Sequence, residues 1–136
     1  MTRSKSGRRP PIHMIDTEAD SLTSMAIGLE ERLPEVSELL LDEISRATIH
    51  KAERMPADIV TMMSTVTFTD EASGAERSVQ LVWPKDADIS AGRISILTLI
   101  GAGLIGLREA QSINWPDRSG HERVLRITSV TQPPRA

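Results

Sequence analysis

Three glutamates, Glu30, Glu31 and Glu35, crowd around Pro34 in a stretch otherwise patterned for helices. Grouped carboxylates are the donors that a hard cation such as Mg²⁺ prefers. At the end of a helical hairpin the same grouping is more commonly a solvated tip steered toward basic surfaces, and that reading is preferred. A second pattern, Gly101-Ala102-Gly103-Leu104-Ile105-Gly106, has the G-x-G-x-x-G spacing of a dinucleotide-binding turn and follows an apolar stretch at Ile94–Leu97. A dinucleotide fold also needs a full helix, a second parallel strand and an acid about 20 residues further on. Here Ser112–Trp115 follows almost at once, so the glycines are read as close packing of a short helix on a sheet. His13, His50 and His121 lack metal-ligand spacing and read as separate surface histidines. Without cysteine, thiolate metal sites and cysteine nucleophiles are excluded. Nucleophile elbows, phosphate loops and triads are not visible, so neither an enzyme nor a bound cofactor or metal is expected.

The elements that must position the acidic group are two helices. Asp16-Thr17 followed by Asp20 reads as a helix start, and Leu22, Met25, Ala26, Leu29 and Leu33 recur at three- and four-residue steps. Pro34 closes that helix and opens the next, with Glu35 and Glu38 suited to the positive end. Val36, Leu39, Leu40, Ile44 and Ala47 form a second stripe, with Glu38, Asp42, Glu43 and Arg46 on its flanks. Two such helices imply an antiparallel αα-hairpin, about 16 to 18 residues per arm and roughly 25 Å long at the helical rise.

From Met55-Pro56 the period changes to alternation. Val66 and Phe68 alternate with threonines, and Val79, Leu81 and Trp83 with Ser78, Gln80 and Val82, across a turn at Asp70–Gly74. A further strand at Ile94–Leu97, a short helix from Leu99, and strands at Ile113–Trp115 and Val124–Ser129, joined across a turn from Pro116 to Gly120, complete a small antiparallel sheet. The class is therefore α+β: a disordered basic tail at 1–14, an acidic hairpin at 15–54, a mostly β unit at 55–131 and a frayed end at 132–136.

Composition adds limits. No apolar run reaches the ~20 residues of a membrane helix. The basic N-terminus (Arg3, Lys5, Arg8, Arg9) leads into Pro10-Pro11 rather than an apolar segment, unlike a secretory signal; it reads as a solvated tail, with DNA contact the lesser alternative. A cytoplasmic location is expected. From Met14 to Asp58 there are eleven Asp or Glu against four Lys or Arg. Such a segment avoids a nucleic-acid backbone and seeks a basic protein surface.

The run Met55-Pro56-Ala57-Asp58-Ile59-Val60-Thr61-Met62-Met63-Ser64-Thr65-Val66, with Ile94–Leu97, Ile100–Leu107 and Ser112–Trp115, resembles the C-terminal domain of the transcript-cleavage factors GreA and GreB. Leu33-Pro34, Glu43-Ile44-Ser45-Arg46-Ala47 and the Met55–Met62 junction resemble more closely the Rnk family, the regulators of nucleoside diphosphate kinase. The resemblance spans roughly 15–130. It implies an FKBP-like sheet domain that docks on RNA polymerase beside its secondary channel, competing with GreA/GreB-type factors, and a shortened coiled coil directed toward that channel. It places the docking segment at Ser95–Gly103, so Ser95, Thr98, Leu99, Ile100, Gly101, Ala102 and Gly103 are candidate contacts, and Glu30, Glu31, Pro34 and Glu35 form the coiled-coil tip. In the cleavage factors an acidic pair at a longer tip helps bind a catalytic Mg²⁺; the shorter hairpin here implies a factor without cleavage activity. This sequence departs from the usual pattern at Thr98-Leu99, where relatives often carry Ser-Pro or Ala-Pro, and at Ala110-Gln111, where they often carry Gly-Asp. Prolyl isomerisation, which the FKBP-like fold would suggest, is excluded by one Phe, two Trp and no Tyr. The alternatives are an accessory factor whose tip acids supply a metal ion for cleavage, and a module that regulates a metabolic enzyme such as nucleoside diphosphate kinase.

Overall fold

A computed structural model of the chain describes residues 11–116 and 121–134. Strand β1 (His13–Ile15) leads directly into helix α1 (Asp16–Gly28), and a tight turn passes to helix α2 (Pro34–Arg46). Strand β2 (Thr48–His50) then returns to pair with β1 in parallel. The sheet unit follows as β3 (Thr65–Asp70), β4 (Glu76–Val82), β5 (Arg93–Ser95), helix α3 (Leu99–Leu104), β6 (Ser112–Pro116) and β7 (Glu122–Thr131). Its spatial order is β5-β4-β3-β7-β6.

The α+β class and the helical hairpin agree with the sequence reading; several details do not. The sheet is mixed rather than wholly antiparallel, because β5 runs parallel to β4. Two single-turn 3₁₀ segments, Pro84–Asp86 and Ile89–Ala91, and left-handed Gly92 (φ 76°) bring the chain back to start β5 in the same direction as β4. The third strand is Arg93–Ser95 rather than Ile94–Leu97. Each arm of the hairpin is 13 residues, so about 20 Å long at the helical rise, shorter than expected. Ile15 occupies the cap position of α1 and offers no side-chain acceptor, because β1 feeds the helix directly; the Asp16 carboxylate accepts the Thr17 amide at 2.7 Å instead. Leu33 lies beyond the end of α1, at the cap of α2, and is 38% exposed.

The expected tail is also too long as drawn. Residues 1–10 fall outside the described residues, but Ile12 and Met14 are almost wholly buried. Burying two large apolar side chains is worth several kcal/mol in transfer terms, which fastens this stretch to the fold. The turn expected from Pro116 to Gly120 lies, past Pro116, outside the described residues, as do residues 135–136.

The hairpin does not stand free. Ala19, Leu22 and Ala26 of α1 and Leu40 of α2 share one buried cluster with Val66, Phe68, Leu81, Leu104 and Ile127, and α2 lies against α3. Between the helices, the Ser37 hydroxyl donates to the Ala26 carbonyl over 2.7 Å in a buried position. Glu43, expected on the flank of the apolar stripe, is buried and pairs with Arg46 at 2.6 Å. Toward the sheet unit, Glu18 Oε1 accepts the Met62 amide at 3.1 Å, fixing the loop in which Met63 takes φ 68°.

Candidate functional site

The segment from β5 into α3 is held by a small hydrogen-bond knot. Thr98 Oγ1 donates to the Ser95 carbonyl (2.8 Å) and accepts from the Gly101 amide (3.0 Å), so one hydroxyl closes the turn and caps the helix. The Ser95 hydroxyl accepts the Leu97 amide at 3.0 Å. Leu99 is the first residue of the helix and follows an extended Thr98 (φ −112°, ψ 163°), a position where proline fits well. Thr98-Leu99 therefore preserves the backbone that a Ser-Pro pair would favour.

This geometry divides the candidate contacts into two groups. Ser95, Thr98, Leu99 and Ile100 are partly accessible, as is Leu97 between them, which was not among the expected contacts. Gly101, Ala102 and Gly103 are buried and form the floor beneath the lip. A Cβ at Gly101 would overlap the Ser95 carbonyl oxygen and approach Ile96 Cα and Thr98 Oγ1 at 3.0 Å. Gly106 has φ 86°, and a Cβ there would meet Ile12 Cβ at 2.9 Å. The glycine pattern thus marks where a helix and strand β1 pack tightly against neighbouring backbone, in agreement with the packing reading.

At the other end, Leu29 to Leu33 form the turn of the hairpin, with the Leu33 amide donating to the Leu29 carbonyl at 2.8 Å. Glu30, Glu31, Pro34 and Glu35 are all exposed there, accompanied by Ile27 at 54% exposure. An open groove of about 430 Å³ runs along α2 from Glu30 and Pro34 past Glu38 and Leu41. Among the described residues, no three His, Asp or Glu side chains converge as metal ligands, so the tip carboxylates do not form a ready-made cation site.

The histidine reading needs correction. The parallel pairing of β1 and β2 brings His13 and His50 together, His13 Nδ1 lying 2.9 Å from His50 Nε2 with ring centroids 5.1 Å apart. Their separation of 37 residues concealed this. The available signals were the alternation in Ile12-His13-Met14-Ile15 and the β-favouring Thr48-Ile49, placed instead in a tail and at a helix end. His121 is exposed in the strand region before β7. The Ala110-Gln111 departure is structural: Ala110 adopts φ 75°, and Gln111 Oε1 accepts the Arg108 amide at 2.8 Å.

Comparison with known proteins gives a consistent picture. Residues 55–132 match the family described as transcription elongation factor, GreA/GreB, C-term. The chain is 33% identical over 132 residues to the regulator of nucleoside diphosphate kinase of Escherichia coli K12, covering 94% of each. It is 40% identical over 74 residues to transcription elongation factor GreA of Azorhizobium caulinodans, covering 54% of this chain and 47% of that one. A solved prokaryotic transcription elongation factor GreA/GreB from Nitrosomonas europaea is similar over 90% of this chain and 99% of its own, with TM-score 0.72 and 36% identity.

Proposed function

Since the chain belongs to the GreA/GreB C-terminal family of transcription elongation factors, we propose that it binds RNA polymerase through the lip between β5 and α3 and regulates elongation without stimulating transcript cleavage. The observation that carries this reading is the lip itself. Leu97, Leu99 and Ile100 pack against the core on one side and leave part of their apolar surface accessible around the Ser95–Thr98 knot, on backbone that Gly101 keeps tightly seated. A rigid, partly apolar edge of this kind suits docking to a folded protein, because little conformational entropy is lost on binding.

The hairpin supports the second half of the proposal. Arms of about 20 Å that share a core with the sheet unit cannot project far from it. Glu30, Glu31 and Glu35 then act as an acidic edge directed at a basic rim, not as metal donors. Binding of the purified chain to core polymerase, with a GreA-type factor as competitor and a cleavage readout on stalled complexes, tests this. Competition without cleavage is expected. Cleavage would transfer the role to the tip acids. Absence of binding would favour the metabolic-enzyme reading, which rests on the name of the Escherichia coli relative.

A further inference from the structure

Strands β1 and β2 are the two routes by which the chain enters and leaves the hairpin, so their pairing closes it at the base. The Thr48 amide donates to the Ile12 carbonyl at 2.9 Å, and on the other side of β1 the His13 amide donates to Gly106 at 3.0 Å. The register sets His13 beside Thr48 and Ile15 beside His50, and the two imidazoles meet diagonally across the pairing with a nitrogen-to-nitrogen distance of 2.9 Å. A contact that short needs one N–H and one lone pair. It therefore persists while at least one ring is neutral and fails when both are imidazolium.

We propose that the His13–His50 contact is a proton-operated latch: it holds the base of the hairpin shut at neutral pH and releases β2 from β1 in mild acid. The charged surroundings favour release over a doubly protonated closed state. Arg108 faces His13 from the segment after α3, and Asp58, which pairs with Arg108 at 3.2 Å, faces it from the loop before β3. Beyond the histidines, Lys51 and Asp16 form a loose pair at 3.7 Å across the same strands. Burial, then the Arg108 and His50 charges, hold the His13 pKa below its ordinary value, and Asp58 only partly opposes them. A base whose folded pKa lies below its unfolded one contributes stability that is fully present above the unfolded value, near 6.5, and lost as pH falls from there through the folded value. The acid-sensitive window of the latch therefore lies below about pH 6.5. This inference does not depend on what the protein binds.

The test is amide hydrogen exchange in the full chain, expressed as protection factors corrected for the intrinsic pH dependence, alongside an NMR titration of both rings. Between pH 7.5 and pH 5 the protection of the Thr48 amide should fall at least tenfold. That of the Leu81 amide, bonded to Ser64 in the sheet unit, should hold nearly constant. In H13Q the pH dependence at Thr48 should vanish, and in H50Q it should shrink to the part that burial and Arg108 still impose on His13. Unchanged Thr48 protection in the natural chain, an equal loss at Leu81, or the same acid response in both variants would overturn the latch.

Discussion

Replacing Gly101 with alanine is the sharpest probe of the lip, because two effects of known size oppose each other. In an unconstrained helix, Gly→Ala stabilises by about 1 kcal/mol. Here the new methyl would press on the Ser95 carbonyl, Ile96 Cα and the capping hydroxyl of Thr98. Two of these three are backbone, which cannot rotate away. Overpacking of this kind costs about 1–3 kcal/mol, with the upper end expected where backbone must move. Displacing Thr98 from the Gly101 amide removes a cap worth about 1 kcal/mol. The steric and capping losses outweigh the helical gain, leaving G101A destabilised by roughly 2–3 kcal/mol. At about 4 °C per kcal/mol for a chain of this size, thermal unfolding followed by circular dichroism should shift down by roughly 8–12 °C. A midpoint within 2 °C of the natural chain, or above it, would refute the close-approach reasoning and leave Gly101 as an ordinary helical residue.

The reverse holds at Ala110: its φ of 75° costs an L-residue about 1–2 kcal/mol, partly offset in A110G by added unfolded-state entropy of about 0.4–1 kcal/mol, so urea unfolding should show a gain of roughly 0.5–1 kcal/mol. L99P keeps the backbone, because Thr98 is already extended and proline suits the first helical turn, so its cost in the same assay should be the packing Leu99 gives up against the core, about 1–2 kcal/mol; a loss well above that would show that proline distorts the turn. S37A removes the buried donor to Ala26 and should cost about 1–2 kcal/mol. The Asp70 carboxyl is held below its ordinary pKa, chiefly by the Arg123 guanidinium and also by the Ala72 amide. Its contribution is present above the ordinary carboxylate value of about 3.9 and fades as pH falls through the folded value. The acid limb of a stability–pH profile should therefore flatten in D70N.

The helices, the β3–β4 hairpin and the short glycine-rich helix were legible because each rests on a local period or turn. Val66 and Phe68 point inward as alternation requires, and both are nearly inaccessible. What escaped was non-local. A three-residue strand such as β1 or β2 carries too few residues to announce a period, and a parallel pair joined through two helices leaves no turn signal between its strands. The inward turn of Ser37 and Glu43 escaped for a related reason. Helical spacing assigns them a side of α2, but only the approach of α1 decides that Ser37 finds a carbonyl there. The segment 95–103 came forward as a candidate from resemblance alone, while its division into an accessible lip and a buried floor required the packing of α3 against α2.

That packing also constrains how the two ends of the molecule can cooperate. The lip lies where β5 enters α3, α3 lies against α2, and α2 carries the acidic edge at its first turn. A surface that engages both would meet them on elements joined by one continuous core. On the proposed reading, a partner seated at the lip therefore receives the tip in a fixed direction so long as the base of the hairpin is closed. Charge on Glu30, Glu31 and Glu35 would then chiefly set the rate and orientation of encounter, whereas the apolar lip would set residence time. Substituting the three glutamates with glutamine should accordingly slow association with core polymerase and reduce its dependence on salt, with a smaller effect on dissociation. L97A with I100A should show the opposite division. Surface plasmon resonance at two ionic strengths separates the two, and an equal effect of both sets of substitutions on dissociation would mean that tip and lip form a single contact surface.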